Sequence, residues 1–427
     1  MQSITPAHLA TEYFFRHEHG RLVATLVAQF GTRRLQLVED AVQEALVRAL
    51  QTWPYRGVPN NAAAWLTQAA RNVMLDHLRR EQRWQEREES IGIEKERWAG
   101  NAENPPAIDE LIRDDTLRLV FICCHPQLAP EAQVALALRT LCGFSPAEIA
   151  AAFLTSEVAV SKRLVRARQR IRELELRFAM PELHELPERL DSVLATLYLL
   201  FNEGYKASSG DKLVREELCH EAIRLTRMLL EHPSSTTPRS HALLSLMLLN
   251  AARLITRTDD AGNLLRLHEQ NRTAWDVAMI YEGMKHLAAS AEGEQVTALH
   301  IEAGIAACHS TAPSAEATDW PRIVSLYDQL LEIAPSPVAA LNRAIAIGRA
   351  SGAKAGLEAL SEIRLLESYH LLHAARGTFA AECGEYSAAV AHFREALVHA
   401  VIPSERDFLE GQITHLELAS GRISRRK

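Results

Sequence analysis

Apolar residues in this chain recur at three- and four-residue spacing almost from end to end, while runs of β-branched residues alternating with polar ones are scarce. That periodicity restricts the chain to helices, and the dominance of Ala, Leu, Glu and Arg agrees with it. An all-α protein is the expectation. At 427 residues it is long enough for two or three domains. A hydrophobic fraction of 47% with 24% charged residues belongs to an ordinary globular chain and argues against disorder. No apolar run is long enough to span a bilayer, and the start MQSITPAHLATEYFF lacks a basic segment followed by an apolar one. A cytoplasmic protein without a membrane anchor is expected.

Breaks in the pattern divide the chain. Residues 5–85 read as amphipathic helices, opened by Thr5-Pro6 as N-cap and first helical residue and interrupted at Gly31 and across Pro54–Pro59. Residues 86–108 are charged, then Asn/Pro-rich (GNAENPP), as in a linker. A second helical unit covers 109–178. Pro181 and Pro187 mark the next boundary, with further turns at Ser208-Ser209-Gly210, at Pro233–Pro238 and around Pro313, Pro335 and Pro337; the last residues (GRISRRK) are expected to fray. The formal net charge of −7 resides beyond residue 180, because the first 180 residues are nearly neutral. Six cysteines are too few and scattered for a disulfide framework. The Cys123-Cys124-His125 cluster lacks the second ligand pair of a structural zinc site and reads as buried small residues. No metal or cofactor is expected.

The second unit contains the clearest local motif. Ser145-Pro146-Ala147-Glu148 is a capping box with proline at the first helical position, predicting a short helix over Pro146–Phe153 after a helix at Pro130–Leu141. Ser156 can then cap a long helix from Glu157, on which Val160, Leu164, Ala167 and Ile171 form one apolar stripe. From Lys162 to Arg172 six basic residues occur with no acidic one. Short helix, tight turn and long basic helix make a helix-turn-helix, whose second helix enters the major groove. Its first turn (Ser156, Glu157, Ala159) would face base edges, and Lys162, Arg163, Arg166, Arg168 and Arg170 would hold phosphates. A solvated helix face is the alternative meaning of such charges. The run FSPAEIAAAFLTSEVAVSKRLVRARQRIREL resembles region 4 of extracytoplasmic-function sigma factors, with its S-x-x-E-I-A…V-S-x-R-L-x-R-A-R pattern.

In LQLVEDAVQEALVRALQTW, Val38, Ala41, Val42, Ala45, Leu46 and Ala49 form an apolar stripe, which places Asp40, Gln43, Glu44 and Val47 together on another face. Such an acidic face suits a basic protein partner better than DNA. A loop, Trp53–Asn61, and the string A-W-L-x-x-A-A-R-N-x-x-L-D-H-L-R-R follow. This order resembles sigma region 2. The resemblance implies that Asp40, Gln43, Glu44 and Val47 dock on core RNA polymerase. It also implies that the loop, with Arg56, Asn60 and Asn61, captures an unstacked base of the minus-ten element, supported by Trp65, Arg71 and Asn72, while Arg79, Arg80 and Arg83 hold phosphates. Trp65 reads equally as a core residue. Glu86, Glu88 and Glu89 of the linker would lie along the RNA-exit path. The work implied is binding and melting, so the protein is not expected to be an enzyme.

Beyond Pro181 the run Leu197–Tyr205 (LYLLFNEGY) looks like a helix end or kink. It resembles the extension of a sigma-factor subgroup that carries tetratricopeptide repeats and no separate anti-sigma factor. Asn202 and Glu203 lack a His or metal constellation nearby, so docking or capping fits them better than catalysis. Residues 182–300 read as a helical extension and 301–418 as tetratricopeptide-like repeats. The copy His370–Pro403 is the clearest, with Gly377, Gly384, Tyr386, Ala389, Phe393 and Ala396 at repeat-like offsets and Arg376 in place of the usual Leu; Ser336–Leu366 and Ile301–Pro335 are weaker. Stacked pairs would form a solenoid with a concave binding surface. The resemblance implies core RNA polymerase and promoter DNA as partners, and a DGPF-type small protein beside them. The alternatives are a helix-turn-helix regulator with a repeat-based sensor that never docks on polymerase, and a repeat scaffold.

Overall fold

The protein is described here from a computed structural model covering residues 6–88, 108–152, 155–205, 214–259, 265–364 and 366–424. Eighteen α-helices and no strand occur among the described residues. The chain divides into two compact units, residues 1–196 and 197–427. The division falls inside a helix, later than the Pro181–Pro187 boundary expected from sequence. The linker segment GNAENPP, the turn at Ser208-Ser209-Gly210 and Phe153 lie outside the described residues.

In the first unit α1 (Pro6–Phe30), α2 (Leu35–Arg56) and α3 (Ala62–Glu88) are followed by α4 (Ile108–Cys123), α5 (Pro130–Thr140), α6 (Pro146–Ala152), α7 (Glu157–Glu173) and the start of α8 (Leu186–Tyr205). The predicted stripes are the buried ones: Val38, Ala41, Val42, Ala45, Leu46 and Ala49 on α2, and Val160, Leu164, Ala167 and Ile171 on α7. The Ser145 capping box is closed from both sides, Glu148 N–H donating to Ser145 Oγ at 3.2 Å and Ser145 N–H to a Glu148 carboxylate oxygen at 2.7 Å. Cys123 and Cys124 are buried, and burial pushes the Cys124 thiol up to about 12, so these cysteines serve as small core residues.

One local expectation is corrected. Pro54 does not end α2, which runs on to Arg56 and stops where Gly57 adopts a φ of +80° and donates its N–H to the Trp53 carbonyl at 2.9 Å. Trp53 is therefore a buried helix residue, and the loop is shorter than Trp53–Asn61.

Helices α1–α3 and α4–α7, read from sequence as separate domains, share one core. Gly20 of α1 sits against the Leu141 carbonyl so closely that a Cβ would lie 2.5 Å from its oxygen. His19 is buried beneath Gly143, and desolvation with the nearby Arg139 charge pushes its pKa down to about 3. Arg189 of α8 donates to the Phe121 carbonyl at 2.7 Å, which makes the first half of α8 part of this unit.

In the second unit α9 (Glu216–Glu231), α10 (Pro238–Ala251) and α11 (Val277–Ser290) precede α12 (Ala298–Thr311), α13 (Trp320–Ile333), α14 (Pro337–Ser351), α15 (Ala353–Ser361), α16 (His370–Glu382), α17 (Tyr386–His399) and α18 (Pro403–Ser424). The three segments singled out as repeats correspond to helix pairs, α12–α13, α14–α15 and α16–α17, the first pair beginning three residues before Ile301. Their cores overlap. Ile301, Ile323 and Ala346 cluster in one core, Leu341, Leu360 and Phe379 in the next, and Ala380, Phe393 and Leu409 in the last. Gly348 and Gly356 let α14 and α15 close on the Phe379 ring, where a Cβ would come within 2.2 and 2.6 Å of it. A cavity of about 750 Å³ opens in this unit, lined among others by Tyr327, Asn342, Arg349, His370, Phe379 and Phe408. Helix α18 continues to Ser424, past the expected end near residue 418.

Candidate functional site

The candidate residues of the first unit fall on three surfaces. On α2, Asp40 and Glu44 are exposed, Gln43 is half-buried and Val47 is 50% exposed, so the four do share an outward face opposite the buried stripe. Glu44 is paired with Arg48 one turn on, at 2.5 Å. Exposed i,i+4 pairs are worth a few tenths of a kcal/mol, about 0.3–0.5, and are easily exchanged for a partner's cation.

At the α2–α3 turn, Arg56 and Asn60 are exposed. Asn61 caps α3, its side-chain oxygen accepting from Ala64 N–H at 2.9 Å, so its amide has a structural duty. Trp65 is half-buried and meets Trp53 edge-on, ring centroids 5.7 Å apart, which places it between core and surface. Arg71, Asn72, Arg79 and Arg80 are exposed along α3; Asn72 accepts from Gln68 at 3.0 Å, and Arg79 lies 3.5 Å from Asp76. Arg83, Glu86 and Glu88 have no described side chains, and Glu89 lies outside the described residues. Tyr55, missed in the sequence, is 89% exposed beside this turn and Val58 is 40% exposed. An exposed ring next to exposed arginines is a stacking platform for a base. Its only signal was the aromatic residue directly after Pro54.

On α7, Ser156 caps the helix by accepting from Ala159 N–H at 3.2 Å. Glu157, Val158, Ser161, Lys162, Val165 and Arg166 line a shallow concave face. Val158 and Val165 are 63% and 52% exposed there, apolar contacts of the kind that meet thymine methyls. Ala159 and Arg163 are half-buried at its edge, and Arg170 is exposed but tied to Gln127 at 3.0 Å and Glu173 at 3.4 Å.

Arg168 departs from expectation. It turns inward, its Nη2 lying 2.5 Å from the Glu39 carboxylate, whose side chain is 1% exposed. The other Glu39 oxygen accepts from the Thr140 hydroxyl at 2.5 Å. Burial pushes the Glu39 carboxyl up, against the opposing pull of Arg168, Thr140 and Arg139. Arg168 thus joins α7 to α2 in this arrangement instead of offering its charge to a phosphate. Glu39 had no motif to mark it, because it lies inside an otherwise apolar stripe.

The family model described as Sigma-70 region 2 matches residues 15–84, and that described as Sigma-70, region 4 matches 118–171. A family of unknown function, DUF6596, matches 189–291. A protein of Rhizobium meliloti (strain 1021), called "Uncharacterized protein R00370", is 37% identical over 390 residues, covering 90% of this chain and 91% of its own length. No solved structure matches. The candidate residues of α2 and α3 with described side chains lie inside the region 2 match, and those of α7 inside the region 4 match. None of the described helices is long and apolar enough to cross a membrane.

Proposed function

We propose that this chain, which belongs to the sigma-70 family, is an initiation factor of the extracytoplasmic-function type whose helical extension is part of its working form. A sigma-factor role in promoter recognition, with core RNA polymerase and promoter DNA as partners, is what the region 2 and region 4 matches support. The observation that carries the finer reading is the segregation of charge within the first unit. Asp40 and Glu44 stand exposed on α2, whereas Lys162 and Arg166 stand exposed on α7 beside two bare valines. An acidic face is repelled by DNA and attracted by a basic protein groove, and the α7 face has the opposite preference. One chain carrying both can bridge polymerase and promoter. Asp40, Gln43, Glu44 and Val47 would dock on polymerase. Tyr55, Arg56 and Asn60, with Arg71, Arg79 and Arg80, would receive the melted minus-ten strand. Glu157, Val158, Lys162, Arg163 and Arg166 would read the minus-thirty-five element.

Arg163→Ala and Arg166→Ala are each expected to weaken binding to promoter DNA. Each should also flatten the dependence of log K on log salt by about one unit for every phosphate that the variant no longer neutralises. Fluorescence anisotropy across a salt series measures this. Unchanged affinity and slope in both variants would remove α7 from the DNA.

The extension is read as a positive element, not a removable inhibitor. Its repeat-like pairs share overlapping cores, and α8 supplies Arg189 to the first unit and Tyr198 to the apolar cluster of the second around Leu246, Leu249 and Ala303. A segment whose apolar residues are permanently buried behaves as a structural part. A chain ending after Thr196, the last residue of the first unit, is expected to remain folded by circular dichroism and to lose activity in transcription in vitro. Full or raised activity would make the extension an inhibitor.

A further inference from the structure

The last helix pair brings together three side chains that the reading above does not use. His373 on α16 is buried and its ring stacks on that of His399 at the end of α17, centroids 5.8 Å apart and planes at 21°. Glu395 lies one helical turn before His399, with its carboxylate oxygen 3.3 Å from His399 Nε2. One donor atom from each of the three falls within 4.8 Å of the others. We propose that His373, Glu395 and His399 form a binding site for a divalent transition-metal ion, zinc by the character of the ligands, joining α16 to α17. The proposal stands independently of the sigma-factor reading.

Three features carry it. The first is spacing. Ligands held at about 2.0–2.1 Å in a tetrahedron lie about 3.3 Å apart, which is the Glu395–His399 separation found here. The second is the state of His373. Its Nε2 is 2.7 Å from the Glu367 carbonyl, which can only accept, so Nε2 carries the proton and Nδ1 keeps its lone pair. A carbonyl that fixes the tautomer of a histidine is the usual outer partner of a metal ligand. The third is ligand type. Two imidazoles and one carboxylate suit zinc and its late first-row neighbours better than calcium or magnesium, which prefer oxygen throughout.

The charges around the cluster are compatible with a cation. Arg376, the nearest guanidinium on α16, is bound to the Glu367 carboxylate at 3.3 Å and to the carbonyls of Leu360 and Ile363.

The test uses the full chain carrying Cys383→Ser, which removes the exposed thiol that could bind zinc by itself. After chelation and removal of the chelator, zinc is added and bound metal is measured by equilibrium dialysis. One equivalent is expected, with a rise in melting temperature. Cobalt(II) should give the visible absorption of a low-symmetry nitrogen–oxygen site. Glu395→Gln and His399→Gln change an exposed and a half-buried side chain and should leave the fold intact by circular dichroism. Each is expected to weaken zinc binding at least tenfold and to abolish the cobalt band. Absence of stoichiometric binding, or unchanged zinc affinity and cobalt spectrum in both variants, would overturn the proposal.

Discussion

Asp40→Arg combined with Glu44→Arg is expected to lower affinity for core RNA polymerase by at least about a hundredfold, since like charges brought together across an interface cost several kcal/mol. Both side chains are exposed on α2, and the stripe that holds the helix in its core is untouched. The melting temperature should therefore change little. Among the described residues, Glu44 gives up its exposed pair with Arg48, and Asp40 its long-range attraction for Arg139. Co-purification or a binding titration with core enzyme reads the result. Normal affinity in a folded double variant would remove the α2 face from the polymerase interface.

Arg168→Ala should act on stability instead. It removes the guanidinium bonded to the buried Glu39 carboxylate and leaves it only the more distant charge of Arg139, and breaking a buried pair from one side typically costs about 3–5 kcal/mol. Glu39→Gln should cost less, because the amide oxygen can still accept from Thr140 and the Arg168 guanidinium left unpaired has more access to water, at 11% side-chain exposure against 1% for Glu39. The pH dependence distinguishes the two. Burial raises the folded-state pKa of Glu39, so the folded form holds its proton more tightly than the unfolded chain does. The contribution of this group is then most favourable below the unfolded pKa and is lost as pH rises through the raised folded value. Removing Arg168 raises that value further. The deficit of Arg168→Ala should consequently shrink between about pH 8 and about pH 5, while that of Glu39→Gln should not. Denaturant titrations of the variants at both pH values measure this. A loss below about 1 kcal/mol in Arg168→Ala, the range of a surface pair, would mean that the Glu39 contact contributes little.

These two variants also separate what the sequence could and could not convey. The Ser145 capping box, the Ser156 cap and the Val160–Ile171 stripe are local, each decided within about a dozen residues, and all were legible. So was the outward face of Asp40, Gln43, Glu44 and Val47, because it is the complement of an apolar stripe. Glu39 was not legible, since its partners Thr140 and Arg168 are 101 and 129 residues away. The same distance effect hid the joining of α1–α3 to α4–α7 in one unit: Gly20 meeting Leu141 and His19 lying under Gly143 leave no local periodic signature. Pro54 misled in the opposite direction. A proline usually ends a helix, but burial of Trp53 and the positive φ of Gly57 carry α2 three residues further. In the second unit the helix pairs were visible as periodic segments. The approach of His373 to Glu395 and His399 appears only once α16 and α17 fold against each other.

If this chain directs polymerase to promoters, run-off transcription will show it. Core RNA polymerase is mixed with the purified full-length chain and a library of random promoter sequences upstream of a constant reporter segment. Discrete transcripts are expected that require the chain, start at a fixed distance from a shared pair of sequence elements, and disappear with Asp40→Arg/Glu44→Arg. Sequence-specific DNA binding by the chain without any chain-dependent transcript from core enzyme would contradict that role.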